Sequence, residues 1–478
     1  MAVTTIEQQP LYSTIVAGQE IIFTLSNNPA LVSHTRVKYV IDVHIGEEPI
    51  NLASSTDKIA TFKVTPNNSG VGMIDLNSIV EDYVSADNLA ANGSTFKGDT
   101  TTDLLNHPIH LIDKFSFSKN SARFLACKFK TEGFNSSGLL EDIAGSEINS
   151  NAFLIMNGYL KYTDELENRT TSAPDNWFGY NMNKFFITAS DATQRFLTNA
   201  PSIQYANPDD YGTLSFLVRN FTVSQAAKEI RLDYTDSSGG SQGFDLITRA
   251  ASTGSSFWGS NLGIPFSKNQ QQFIGCFPAN LRNWNSTFKT KYDAGLMDGG
   301  KIEVYFLPYI GSQSTKTYTI QLNCPNTKGY ESIRLCWLNQ WGAWDYYTFT
   351  QKSTRKISTK ATTYNQLKGN WSSPNYNTNG YKGGKKTFRK NATESITMNT
   401  DFVTEEFNVM FEELTNSPEV YILKGYQERT YNTDTLNRYA TPVTLKTSSF
   451  TTKTIANDKL IQYTFEVEKS RTLRTQSI

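Results

Sequence analysis

Histidines, cysteines and paired acids are the residue types whose spacing can first be tested for chemistry. All four histidines, His34, His44, His107 and His110, lie in the first quarter of the chain. Only HPIH, residues 107–110, brings two imidazoles close enough to share a zinc ion. Pro108 opposes the helix that would align them and no cysteine neighbours them, so no metal site is expected there. Cys127, Cys276, Cys324 and Cys336 lack CxxC spacing and read as buried free thiols, not a disulfide framework. For hydrolysis we identify no nucleophile elbow of the Ser/His/Asp type and no local Cys/His signature. The phosphate loops GxGxxG and GxxxxGK[ST] are absent, which removes the usual nucleotide motifs. A β-rich glycosidase would need two facing carboxylates. The adjacent pairs Glu405/Glu406 and Glu412/Glu413 instead read as the solvated face of an amphipathic helix. We expect no enzyme activity and no cofactor.

Two other clusters are suited to contact. In RLCWLNQWGAWDYYTF, residues 334–349, the candidate binding residues Trp337, Trp341, Trp344, Asp345, Tyr346 and Tyr347 crowd around a turn at Gly342. Stacked rings beside Asp345 describe a carbohydrate platform; alternatively, the rings close a sheet edge and pack against a neighbour. Strand alternation turns some of them inward and favours packing. Residues 351–400 carry ten basic residues and one acid, Glu394, with Trp371, Tyr376, Tyr381 and Phe388 interleaved. Basic residues among rings can touch nucleic acid. Because the whole chain is neutral, an interface loop is the favoured reading, with Lys382, Lys385, Lys386, Arg389 and Lys390 as its contact residues.

Mostly strands must position these clusters. VKYVIDVHI, residues 37–45, alternates Val37, Tyr39, Ile41, Val43 and Ile45 on one face, and KIATFKV is expected to return beside it as an antiparallel partner. Asp75 stands where a helix cap would, before LNSIVEDYV with Leu76, Ile79, Val80 and Tyr83 at helical spacing. GTLSFLVRN, EIRLDY, GFDLIT, KIEVYFLPY, YTIQLN and SIRLCWLN read as further strands, and the glycines of SSGGSQ suit a tight turn. LKGNWSSPNYNTNGYKGGKK reads as a long loop or hairpin tip. TEEFNVMFEEL is the clearest helix, with Thr404 as cap and Phe407, Met410, Phe411 and Leu414 on its inner face. EVYILK, PVTLK and LIQYTFEVE complete a small α+β unit.

A chain of 478 residues normally divides into roughly two to four domains. The expected fold is mainly β: several antiparallel β-sandwich domains followed by a small α+β C-terminal domain. The expected segments are 1–100, 101–300, 301–400 and 401–478. At 38% hydrophobic, 19% charged and 13% aromatic, the composition describes half-buried strands and excludes a disordered chain. No stretch approaches a membrane span, and MAVTTIEQQP lacks the regions of a signal peptide, so folding in a cytoplasm is expected. The net charge is zero, which excludes a polybasic coat or an acidic tail as the dominant character. The zero is uneven: by segment it is −10 over 1–250, +12 over 251–400 and −2 over 401–478.

At CWLNQWGAWDYYTF the chain resembles structural proteins of tailed bacteriophages, especially those of marine and Bacteroidetes hosts. YVIDVHIG…TFKVTPNNSGVGMIDLNSIVEDYV near the start is similar to the same proteins. So is TEEFNVMFEELTNSPEVYILKG near the end, followed by PVTLKTSSF and KLIQYTFEVEKS. The resemblance implies a virion structural protein of the tail, at its tip, baseplate or fibre-attachment region, assembled in the host cytoplasm. Its implied partners are copies of itself in a ring or other oligomer and other phage tail proteins. The alternative is a receptor- or carbohydrate-binding virion protein whose ligand is a host surface glycan. It implies no catalytic residues.

Overall fold

The computed structural model describes residues 3–47, 49–53, 56–86, 96–98, 115–118, 120–161, 163–164, 180–185, 196–218, 227–248, 270–308, 316–323, 329–370, 374–426, 439–454 and 461–477. The chain is mainly β and contains several antiparallel sheets. It divides into two compact units. The first comprises Met1–Cys324, Leu338–Asp345 and Tyr426–Leu436; the second comprises Pro325–Trp337, Tyr346–Gly425 and Asn437–Ile478.

In the first unit, the alternating residues Val37, Tyr39, Ile41, Val43 and Ile45 are all buried. Their strand, Thr35–Gly46, pairs antiparallel with Lys58–Val64 on one side and Ala122–Phe134 on the other. Phe153–Tyr159 continues that sheet and pairs parallel with Thr14–Gly18. A three-stranded sheet of Thr5–Gln8, Ile22–Ser26 and Val71–Asp75 adds Phe23 and Leu25 to the same core as Ile41, Val43, Phe129, Phe153 and Ile155. Two apolar sheet faces closing on one another make a sandwich, and each large side chain buried this way contributes roughly 1.5–3 kcal/mol. Asp75 does not cap in the expected manner: the cap position is Leu76. Asp75 Oδ1 accepts from the Asn77 and Ile21 backbone N–H groups (3.0 and 2.9 Å) and ties the helix start to a strand. Tyr83, expected inward, is 40% exposed. The helix Asn77–Val80 tightens into a 3-10 turn at Glu81–Tyr83, which rotates later positions off the α-helical face.

The other strands of this unit follow the same local logic. Ala227–Thr235 pairs with Ser241–Thr248 around Gly239, whose φ is +85°. Its opposite edge pairs with Lys301–Pro308. Two expected boundaries are therefore crossed by pairing: Thr35–Gly46 bonds across residue 100, and Lys301–Pro308 bonds back across residue 300.

The second unit holds an eight-stranded sheet. Its order is Trp344–Phe349, Ile333–Leu338, Val420–Leu423, Ala440–Leu445, Thr464–Lys469, Gly384–Asn399 and Thr354–Gln366, with Arg474–Ser477 also on Gly384–Asn399. Residues 401–478 thus share a sheet with residues before 400. The helix Asn408–Asn416, entered through a 3-10 turn at Glu405–Phe407, buries Phe407, Met410, Phe411 and Leu414. The Phe411 ring centroid lies 5.5 Å from Phe465 and 5.4 Å from Tyr463. The Thr404 side chain makes no capping bond. Glu413 is fully buried, unlike the expected solvated pair.

Cys127, Cys276 and Cys336 are buried free thiols. Cys324, His107, His110 and Trp371 lie outside the described residues. Among the described residues no helix is long and apolar enough to cross a membrane.

Candidate interaction sites

The aromatic turn is set by its backbone. Gly342 has φ +69°, and a Cβ there would stand 2.4 Å from the Asn157 carbonyl oxygen, so only glycine suits the position. Asn339 Oδ1 accepts from the N–H groups of Trp341 and Ala343, both at 3.0 Å, while its Nδ2 donates to the Leu197 carbonyl. Gln340 accepts from Asn199 (3.0 Å) and donates to Asp164. Gln271 donates to the Gly342 carbonyl at 3.0 Å. The Trp341 ring lies 4.6 Å from Phe185 and 5.3 Å from Tyr180. The tip is thus fastened by the first unit's own side chains.

Trp337, Trp341, Trp344, Asp345 and Tyr346 are at most 4% exposed; Tyr347 alone is half-buried. Tyr347 packs on Phe349 and Phe411, each ring 5.0 Å away. The Arg334 guanidinium lies 5.1 Å from the Tyr346 ring and donates to Thr348. A saccharide platform needs open ring faces, and these rings are turned into the protein. The six residues, read from the sequence as candidate binding residues with packing favoured over a carbohydrate platform, pack in this structure, five of them buried and Tyr347 half-buried. Asp345 accepts a 2.6 Å hydrogen bond from Thr198. Burial pushes its carboxyl up to about 6, against the opposing hydrogen bonds from Thr198 and Asn339.

The basic stretch, expected as an interface loop, forms two long strands, because pairing between them needs no buried face. Thr354–Gln366 pairs antiparallel with Gly384–Asn399 along its whole length, with an irregularity that leaves Phe388 unpaired. At roughly 3.3 Å per residue, the 13-residue first strand is about 43 Å long. Every residue of it except Gln366 is exposed, on both faces. The expected tip is present between the strands, stiffened by a short pairing of Gly369–Asn370 with Asn377–Thr378.

Register places Lys356, Lys360 and Tyr364 on one face, with Arg389 opposite Thr362 and Lys386 opposite Tyr364. The rings of Tyr364 and Phe388 meet edge to face at 6.4 Å. Lys385 and Lys390 are carried on the other face. Of the five residues expected at an interface, Lys385, Arg389 and Lys390 are exposed, while Lys382 and Lys386 are half-buried. Lys386 donates to the Tyr381 carbonyl (3.2 Å), Lys382 lies 5.7 Å from the Tyr381 ring, and Arg389 donates to Asn391. Among the described residues none of the five pairs with a carboxylate.

The base of this ribbon is fixed differently. Arg355 donates to Glu331 Oε2 (3.2 Å) and Glu394 (2.7 Å), and Lys469 reaches Glu394 at 2.7 Å. The Lys469 hydrogen bond, helped by Arg355, holds the Glu394 carboxyl below its ordinary value against its burial.

One motif was missed in the sequence. Residues 239–243, GGSQG, match the Gly-x-Ser-x-Gly string, but Ser241 opens a strand at a hairpin turn. A nucleophile elbow needs a strand-to-helix turn, so Ser241 is not in that context. Among the described residues no group of three or more His, Cys, Asp or Glu could hold a metal ion.

No family model and no curated protein matches the chain. Among solved structures, the crystal structure of dimeric latent PorU from Porphyromonas gingivalis is 8% identical, with 83% of this chain and 32% of that chain covered and a TM-score of 0.15. At that score the likeness defines neither fold nor function.

Proposed function

We propose that this chain is a non-enzymatic structural protein of a bacteriophage virion, a tail component of the tip, baseplate or fibre-attachment region, that works by oligomeric assembly. The ribbon of Thr354–Gln366 and Gly384–Asn399 carries this reading. Its edge strand, Thr354–Gln366, has both faces in water. Outward of Arg389, where the pairing of Gly384–Asn399 with Arg474–Ser477 ends, the ribbon is two-stranded, which is marginal alone because ordering each residue costs roughly 1–2 kcal/mol of backbone entropy. An exposed ribbon of this length gains the missing burial when it lies on a neighbouring subunit or another tail protein. The phage-like motifs at the start, middle and end of the sequence support the same class. The runner-up, a carbohydrate- or receptor-binding virion protein, loses its clearest surface because the tryptophans of the turn are buried.

The test removes the outer ribbon at a point where the strands face each other. Thr363 and Thr387 are cross-strand partners, so residues 364–386 can be replaced by Asn-Gly. Negative-stain images of the full chain are expected to show rings or other closed oligomers, and those of the shortened chain single folded particles. Identical closed assemblies from both proteins would contradict the proposal.

A further inference from the structure

Resting on that assembly reading, we infer that the ribbon's partner is a second copy of this chain, and that it docks on the carboxylate-bearing surface around Val71–Asp75 and Glu81–Tyr83. Charge complementarity selects this surface. From residue 354 to residue 393 the chain carries nine Lys or Arg and no acid; from residue 64 to residue 96 it carries acids and no base. Among the described residues, Arg355 is the one ribbon cation paired with carboxylates.

The acidic surface is assembled by two segments. The bond from the Ile21 N–H to Asp75 and the bond from Asn77 Nδ2 to the Gln19 carbonyl (2.7 Å) hold Glu20 beside Asp75. Glu81 and Asp82 follow on the 3-10 turn. Glu20, Asp75, Glu81 and Asp82 are all exposed, and no cation pairs with any of them among the described residues. Exposed apolar groups accompany both sets of charges: Met73 and Tyr83 are 64% and 40% exposed, and Tyr381 and Phe388 are 75% and 52% exposed. Among the described residues, Val71–Asp75 and Thr354–Gln366 are also both edge strands, each bonded to one neighbouring strand. One copy therefore offers cations, rings and a free backbone edge, and the next offers carboxylates, apolar side chains and another free edge. Such a heterologous contact repeats from copy to copy and closes a ring when the rotation permits.

A charge-swap experiment tests the pairing. One full-length variant carries Lys385→Glu, Arg389→Glu and Lys390→Glu; a second carries Glu81→Lys and Asp82→Lys. Thermal melts establish that each is folded, and sedimentation velocity at low salt reads association. Wild type is expected to associate, and each variant alone to associate about tenfold more weakly or worse, since like charges then face each other. An equimolar mixture of the two variants is expected to recover the wild-type oligomer, because each ribbon then meets a surface of opposite sign. Failure of the mixture to recover, with the ribbon variant still defective, would overturn this partner surface and leave ribbon-mediated assembly standing. A wild type that stays monomeric and instead binds duplex DNA through the ribbon would overturn both.

Discussion

Asp345 and Glu394 show how one residue type takes opposite states in one chain. Asp345 is buried beside Thr198, and desolvation raises its carboxyl from 3.8 to about 6. The folded form therefore takes up a proton at higher pH than the unfolded chain. The resulting penalty is full above about pH 6, shrinks as pH falls towards 3.8, and is gone below it. Asp345→Asn keeps the shape without the charge. It is expected to raise the melting temperature at pH 8 by an amount corresponding to about 1–3 kcal/mol, and to change little at pH 4. Urea titrations at the two pH values measure the difference, and equal shifts would count against a buried charge. Glu394 is the reverse case, its carboxyl lowered by Lys469 and Arg355. Its stabilisation is present above its unfolded value of 4.5 and is lost as pH falls through the lower folded value. Glu394→Gln should cost about 1–2 kcal/mol at pH 7, less than a fully buried pair because Arg355 and Lys469 are partly in water, and the loss should fade in acid. A pH-independent loss would mean that packing, not charge, is what the substitution removes.

Elements with a regular apolar face were legible in the sequence, and the strand with two wet faces was not. Val37 to Ile45 announced its strand because alternate residues enter the core, and TEEFNVMFEEL announced its helix through Phe407, Met410, Phe411 and Leu414. TRKISTKATTYNQ has no dry face, so no period of two marks it, and its strands passed as loop. The basic residues were recognised as a candidate contact, but their arrangement on two faces depends on the register between Thr354–Gln366 and Gly384–Asn399, which no local pattern encodes. The turn at Gly342 was readable, whereas the burial of its rings depends on Tyr180, Phe185, Leu197 and Gln271, which lie far away in sequence. Amide hydrogen exchange should separate the two kinds of strand. In dilute, dissociated protein, residues 356–366 are expected to exchange much faster than residues 37–45, and to become protected when the protein assembles. Equal protection in both states would mean that the ribbon needs no neighbour.

At the scale of the whole chain, the neutral total hides a division that matters for association. The first 250 residues are net acidic and the next 150 net basic. Ordinary segment boundaries could not be read from the sequence because sheet partners are distant: Thr35–Gly46 bonds to Ala122–Phe134, and Gly384–Asn399 bonds to Thr464–Lys469. If opposite surfaces of successive copies meet through the ribbon, assembly weakens with salt, since the screening length falls from about 10 Å at 0.1 M to about 3 Å at 1 M. The most direct measurement is sedimentation velocity of the full chain and of the protein lacking residues 364–386, each at about 0.1 M and 1 M salt. The account predicts a full-length oligomer at low salt that dissociates at high salt, and a shortened chain that is a folded monomer at both. A full chain that is monomeric throughout, or a shortened chain that assembles as the full one does, would contradict it.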